Sequence, residues 1–261
     1  MASSASTSLK KALERNFAAS SAVWNNSQVA TSTRRKNPKN PGVYVVVPLF
    51  NEETVIKGVI DTLHTEFDQV ICIDDGSTDN SAAIAEKAGA TVIRHPMNLG
   101  QGAALQTGFV YAKRQADCEY VVTFDADGQH RLEDVLDMLS YSRRKDCPIV
   151  FGSRFLDKRT KPGLKKKIVL KVAVLITRVV TGLNLTDAHN GLRVLRRDAL
   201  EHVNLIQDRM SHATEIVHQL ADTKLPWKEY PVEVLYTDYS KAKGQSVLNS
   251  INILFDLIVR S

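Results

Sequence analysis

Residues 121–130 read VVTFDADGQH, an apolar run of strand length that stops at Asp125 and Asp127 with a glycine next. A run without polar alternation is covered on both faces, so this strand belongs inside a sheet and its polar end lies at the sheet's edge. Two carboxylates one residue apart admit three readings. They hold a metal ion, they work as acid and base, or they only end the strand. Short Asp repeats occur in many turns, so the choice depends on what surrounds this one.

Outward from that stretch the same pattern recurs. Val43–Pro48 (VYVVVP), Val70–Ile73, Thr91–Arg94, Tyr120–Phe124 and Ile149–Gly152 read as strands. Helices are predicted over Glu53–Leu63, Asn80–Ala88, Ala103–Lys113 and Leu132–Ser142. Short strands alternating with amphipathic helices predict an α/β fold, a Rossmann-like, mainly parallel sheet with helices on both faces. Ligands of such sheets bind beyond the carboxyl ends of the strands. There the sequence offers Pro48-Leu49-Phe50-Asn51-Glu52, Asp74-Asp75-Gly76-Ser77-Thr78-Asp79, Asn98-Leu99-Gly100-Gln101-Gly102 and Asp125-Ala126-Asp127-Gly128-Gln129-His130. A purely structural sheet does not need so many carboxylates on one edge.

A bend after Asp125 can bring both carboxylates to one ligand. Hard oxygen donors suit Mg2+ or Mn2+, ions that usually bind one or two carboxylates plus substrate phosphates. A cation held that way neutralises charge on a diphosphate leaving group. At the second strand end, turn formation and helix capping by Asp79 or Asn80 explain Gly76, Ser77 and Asp79. They leave Asp74-Asp75 unexplained, and a carboxylate on ribose hydroxyls or a base N–H accounts for it. Asn98–Ala104 is not a dinucleotide fingerprint, because position 105 is Leu and the first strand does not precede it. It reads as a glycine turn opening a helix whose N-terminus faces a phosphate site.

The net charge of +5 is uneven. Residues 1–40 hold seven basic residues and one acid, leaving 27 basic and 28 acidic residues for the rest. A basic arm on a neutral body is weak support for nucleic-acid binding, and no nucleic-acid partner is expected. Cys72, Cys118 and Cys147 show no CxxC spacing, which argues against a disulfide framework or a zinc site and fits a reducing compartment. The first forty residues lack the apolar core of a secretory signal. Ile168–Thr181 and Val247–Val259 are interrupted by polar residues and fall short of the ~20 apolar residues that span a bilayer.

Together Val46–Glu52, Asp74–Asp79, Asn98-x-Gly100-x-Gly102 and Asp125-x-Asp127-Gly128-Gln129-His130 resemble family 2 glycosyltransferases of the GT-A fold. Gly152-Ser153-Arg154 and Asp187–Arg193 resemble the branch of dolichyl-phosphate mannosyltransferases and bacterial polyprenyl-phosphate glycosyltransferases. The resemblance covers residues 43–246. It implies a nucleoside pocket lined by Pro48, Asn51 and Glu52, with Asp74, Asp75 and Gly102 also on the donor and Asp75 on the base or ribose. It puts the divalent cation, Mg2+ or Mn2+, on Asp125 and Asp127, helped by Gln129. Arg154 and Arg193 then face the acceptor phosphate, as a guanidinium fork suits. Lys241 and Lys243, in the basic Gly-Ser segment Tyr239–Ser246, reach the acceptor or the diphosphate.

Family members that glycosylate a hydroxyl commonly use a Glu-Asp pair well downstream of the DxD. Here the only such pair, Glu133-Asp134, opens a helix, where capping and surface solvation explain it. Glu215 stays open as a base, a helix-surface group or a donor-sugar contact. A phosphomonoester, with its second pKa near ~6, is already a nucleophile and needs no base. The expected reaction is thus inverting transfer from UDP-glucose or UDP-N-acetylglucosamine, favoured over GDP-mannose, to polyprenyl phosphate. Transfer to a saccharide, and a non-catalytic nucleotide-sugar-binding subunit of a membrane complex, are the alternatives. The basic run Lys158–Lys171 followed by Ile168–Ile176 fits an anionic membrane surface or, equally on composition, a core-facing helix with a solvated charge run. The resemblance, which places interface helices here, favours the membrane. Expected organisation is a basic flexible arm over 1–41, a catalytic domain over 42–246 and an amphipathic helix over 247–261. That helix docks on membrane, core or a small membrane partner protein, and the location is cytoplasmic and peripheral to the membrane. Of seven histidines, only His130 and His189 are expected near the site.

Overall fold

The computed structural model describes residues 38–157, 183–187, 190–206 and 212–235. The N-terminal arm up to residue 37, the basic segment from Lys158, His189, Lys241, Lys243 and the 247–261 helix lie outside the described residues.

Among the described residues seven strands form one sheet: β1 Val43–Leu49, β2 Gln69–Asp74, β3 Thr91–Arg94, β4 Tyr120–Thr123, β5 Ile149–Ser153, β6 Arg193–Arg196 and β7 Trp227–Pro231. The helices are α1 Ile56–Leu63, α2 Ser81–Lys87, α3 Gln101–Lys113, α4 Leu132–Lys145, α5 Arg197–Leu200 and α6 His212–Asp222. Every strand and helix expected between residues 43 and 152 is present, with only its ends shifted. The order across the sheet is β3-β2-β1-β4-β6-β5-β7. β6 runs antiparallel to both β4 and β5, and the other pairings are parallel.

β1 shows how the sequence builds two layers. Its side chains alternate between faces. Val43, Val45, Val47 and Leu49 pack with Ile56, Ile60 and Leu63 of α1 and Val135 and Met138 of α4. Tyr44 and Val46 face the other way, against Leu105 and Phe109 of α3 and Ile216 and Leu220 of α6. On α1 the apolar residues Ile56, Val59, Ile60 and Leu63 fall at helical spacing on the buried face. α3 lies so close to β1 that a Cβ on Gly108 would stand 2.3 Å from Val46 Cγ1. Its C-terminal carbonyls are capped by Arg197, which donates to Lys113 O at 2.9 Å and Gln115 O at 2.9 Å.

One expectation is corrected here. Glu133 is exposed, but Asp134 is only 2% exposed. Its Oδ2 accepts the Glu233 N–H at 2.7 Å and so tethers the segment after β7 to α4. Surface solvation therefore explains half of the pair. Asp134 is held inside because a backbone N–H of the chain after β7 would otherwise be buried without a partner.

Candidate active site

A cleft of about 460 Å³ opens at the carboxyl ends of β1, β2 and β4 and the start of α3. Pro48, Phe50, Glu52, Asp75, Gly100, Gln101, Asp125 and Asp127 are among its walls. Residues from four consecutive strand ends thus meet in one place, as the polar turns implied.

The β1 end is clasped to the β2 end. Asn51, in the left-handed region at φ +53°, donates its N–H to Ser77 Oγ at 3.0 Å and accepts the Thr78 N–H on Oδ1 at 2.8 Å. Glu52 is 8% exposed and donates its N–H to Ser81 Oγ at 2.7 Å. Asp74 is buried and accepts the Ser77 N–H at 3.2 Å, shaping the turn beneath the cleft rather than lining it. Asp75 lines the cleft and also anchors its wall. Oδ1 accepts Leu99 N–H at 2.9 Å, Oδ2 accepts Gly100 N–H at 2.7 Å, and His95 Nδ1 lies 2.8 Å from Oδ1. That fixes Gly100 (φ +98°) at the mouth of α3. Gly102 is buried in the first turn behind Gly100, Gln101 and Ala104, which face the cleft.

Asp125 and Asp127 have different surroundings. Asp125 Oδ2 pairs with His130 Nε2 at 2.9 Å, and Oδ1 accepts from Gln101 Nε2 at 3.2 Å. Burial raises its pKa, but the His130 hydrogen bond and the charges of His130, Arg193 and His212 outweigh that and leave it below the usual aspartate value. Asp127 accepts the Gln129 N–H at 3.0 Å. Burial, then the nearby charges of Asp125 and Glu52, push it up to about 6. Behind Asp125, a Cβ on Gly191 would lie 2.3 Å from Oδ2, so only glycine fits. Gln129 is tied through its backbone, donating to Asp127 and accepting Leu235 N–H at 2.9 Å.

The donor set suits a hard divalent cation. Two carboxylates meet at the cleft, and one is driven toward its neutral form by burial and then by the charge of the other. Among the described residues no group of three such side chains could hold a metal by itself. Mg2+ commonly uses one or two carboxylates and leaves its other positions to water and phosphate oxygens, so the residues fit.

Farther along the sheet edge lies a second polar centre. Asp187 grips Arg154 with Oδ2–Nε at 2.6 Å and Oδ1–Nη2 at 2.7 Å. Arg193, expected on an acceptor phosphate, is instead only 2% exposed. It opens β6 opposite Thr123, and that register turns its side chain inward. Burial lowers its pKa to about 10, while Asp125 and Asp187 pull in the other direction. The guanidinium thus serves as buried countercharge shared by the two centres. The histidine expectation is also corrected, since His95 contacts Asp75 and the charge of His212 is felt at Asp125. Strand order brings them in, and sequence spacing does not report it. Sequence reasoning gave no role to Gln101, Gly191 or Glu229. Gln101 and Gly191 carried a signal, their places in Asn98–Gly102 and Asp187–Arg193, and Glu229 carried none.

Comparison with known proteins agrees with this arrangement. Residues 44–203 match the family model described as Glycosyl transferase family 2. The chain belongs to that family. A Methanocaldococcus jannaschii protein described as uncharacterised is 34% identical over 84% of this chain and 91% of its own length. The UDP-N-acetylglucosamine–dolichyl-phosphate N-acetylglucosaminyltransferase of Methanococcus voltae is 29% identical over 83% of this chain and 95% of its own. The fold is shared with Mycobacterium tuberculosis glucosyl-3-phosphoglycerate synthase at a TM-score of 0.59 and 19% identity, covering 84% of this chain and 81% of that one. This glycosyltransferase thus has the mainly parallel sheet of the GT-A fold, with one antiparallel strand between β4 and β5. Among the described residues no helix is long and apolar enough to cross a membrane.

Proposed function

We propose that this glycosyltransferase moves a sugar, with inversion, from a UDP-sugar to a polyprenyl phosphate at the cytoplasmic membrane face. UDP-glucose and UDP-N-acetylglucosamine are favoured over GDP-mannose, and the name of the Methanococcus voltae relative supports both the UDP donor and the lipid phosphate. The observation that carries the reading is the unequal aspartate pair at the cleft, with Asp125 held ionised from behind and Asp127 raised to about 6.

Asp125 and Asp127 would hold Mg2+ or Mn2+, which when bound supplies charge neutralisation for the departing diphosphate. The chain's own residues do the rest. His130 and Gln101 orient Asp125. The start of α3, fixed through Asp75, offers backbone N–H groups and the positive end of a helix to the phosphates. Pro48, Phe50 and Glu52 enclose the nucleoside. Arg154 steers the acceptor phosphate, whose anionic oxygen displaces the diphosphate from the far face of the sugar. Two carboxylates considered as bases already have structural duties. Glu215 accepts the Ile206 N–H at 3.0 Å, and Asp134 holds Glu233. A nucleophile that needs no base fits that arrangement. A saccharide acceptor is the second reading, and it needs a carboxylate to take the hydroxyl proton, a role open to Asp127, raised to about 6, only if it does not hold the cation.

The test supplies UDP-N-acetylglucosamine, UDP-glucose and GDP-mannose in turn with polyprenyl phosphate vesicles, with Mn2+ or with EDTA. Sugar-lipid formed from a UDP-sugar only with the cation is expected. Transfer to a soluble saccharide and none to lipid phosphate would overturn the acceptor. Undiminished transfer in EDTA would overturn the cation.

A further inference from the structure

Glu229 is a carboxylate in the middle of β7, at the edge of the sheet, yet it is only 7% exposed. Burial, and then the neighbouring charge of Asp187, disfavour its ionised form, and three hydrogen bonds oppose them. Its Oε1 accepts Thr186 N–H at 2.7 Å, Asp187 N–H at 3.0 Å and Thr186 Oγ1–H at 3.1 Å. All three go to two consecutive residues that lead into the Arg154 fork.

The direction of each bond follows from that carboxylate. A hydroxyl has one proton to donate. Thr186 gives its proton to Glu229, so in the 2.6 Å contact between the hydroxyls of Ser153 and Thr186 it is Ser153 that donates. Ser153 Oγ in turn accepts Phe155 N–H at 3.2 Å. The relay therefore runs from Phe155 through Ser153 and Thr186 to Glu229, and it brackets Arg154 on both sides along the chain. The second arm runs from Glu229 to the Asp187 backbone. The Asp187 carboxylate then holds Arg154 at Nε, at Nη2 and, at 3.0 Å, at its backbone N–H. Backbone and side chain of Arg154 are thus both set from one buried oxygen.

We propose that Glu229 is the positioning residue for Arg154. It aims the guanidinium that receives the acceptor phosphate, without touching substrate itself. The assignment rests on the acceptor reading above. A guanidinium fork discriminates by alignment, and a displacement of about 1 Å at such a group can cost ~100-fold in rate.

The test compares Glu229→Ala, Glu229→Gln and Thr186→Val with the wild type. Kinetics use UDP-N-acetylglucosamine with a short polyprenyl phosphate. The Arg154 Nε–H resonance, identified by its loss in Arg154→Lys, is followed by NMR. Glu229→Ala is expected to raise KM for the lipid phosphate about tenfold or more, leave KM for the nucleotide sugar within about twofold, and shift or broaden the Arg154 signal. Glu229→Gln, whose amide oxygen can accept the same three bonds, should restore both readouts. Should the Ala variant fail to fold, Thr186→Val cuts one arm only and should move the acceptor KM in the same direction by about threefold. Equal shifts in both KM values, or an unchanged Arg154 signal in Glu229→Ala or Thr186→Val, would overturn the proposal. If the wild type transfers nothing to lipid phosphate while the Arg154 signal still depends on Glu229, the acceptor reading fails and the positioning role stands.

Discussion

Replacing Asp127 by Asn should make the cation-free protein more stable while removing its response to Mn2+. The carboxyl is pushed up to about 6 from an ordinary 3.8, so the folded state holds that proton more tightly than the unfolded chain does. Stability from this group is therefore fully present below about pH 4 and is lost as pH rises through about 6. A shift of about two units at ~1.4 kcal/mol each sets an upper bound of about 3 kcal/mol at pH 7.5. Asn has the same shape, and its Oδ1 can still accept the Gln129 N–H, so it removes the charge and little else. For a protein of this size 1 kcal/mol moves Tm by roughly 2–4 °C, so a gain of up to about 6–12 °C is expected. The assay is thermal unfolding in EDTA at pH 7.5 and pH 4. The gain should be large at the higher pH and nearly vanish at the lower. With Mn2+ and UDP the wild type should rise by linkage and the variant should not. An Asn variant no more stable at pH 7.5, or changed equally at both pH values, would refute the charge argument.

Two further outcomes are expected. Gly191→Ala places a methyl 2.3 Å from Asp125 Oδ2 and must displace that carboxylate, so Mn2+-dependent UDP binding measured by calorimetry should weaken at least about tenfold, like other losses of metal-site support. The thiols are buried, with Cys72 pushed up to about 12 and Cys118 to about 11 by burial, so a thiol reagent at pH 8 should label neither of these two until urea is added.

The strands legible in the sequence were those with an uninterrupted apolar or β-branched run, whether inside the sheet or, like β3, at its edge. β1, β2 and β4 are nearly all apolar, and no arrangement but a buried strand suits them. β6 (RVLR) has an arginine at each end and β7 (WKEYP) holds two charges and a proline, so neither carries an apolar run long enough to read. The cleft was legible because polar turns after buried strands must gather on one edge. What each carboxylate does was not. Asp75 became a wall anchor and Arg193 a buried countercharge through register and strand order, which local sequence does not encode. The same holds for Asp134, whose partner is a backbone N–H contributed by the chain after β7.

The antiparallel course of β6 has a consequence for how such a protein can diversify. β5 leaves the sheet at the cleft edge with Ser153, and β6 enters at that same edge with Arg193. The chain between them, residues 154–192, is therefore an excursion that starts and finishes beside the cleft, with the hairpin ladder fixed at its base. Extra loop length adds only slowly to closure entropy, roughly 0.6 kcal/mol per doubling. Gly191 is fixed against Asp125, and Arg154, Thr186 and Asp187 are held by one another and by Glu229, so only the stretch between these anchors can change length or sequence without disturbing the wall that carries Asp125 and Asp127. The architecture thus leaves one stretch open to variation while the wall of the cleft is kept.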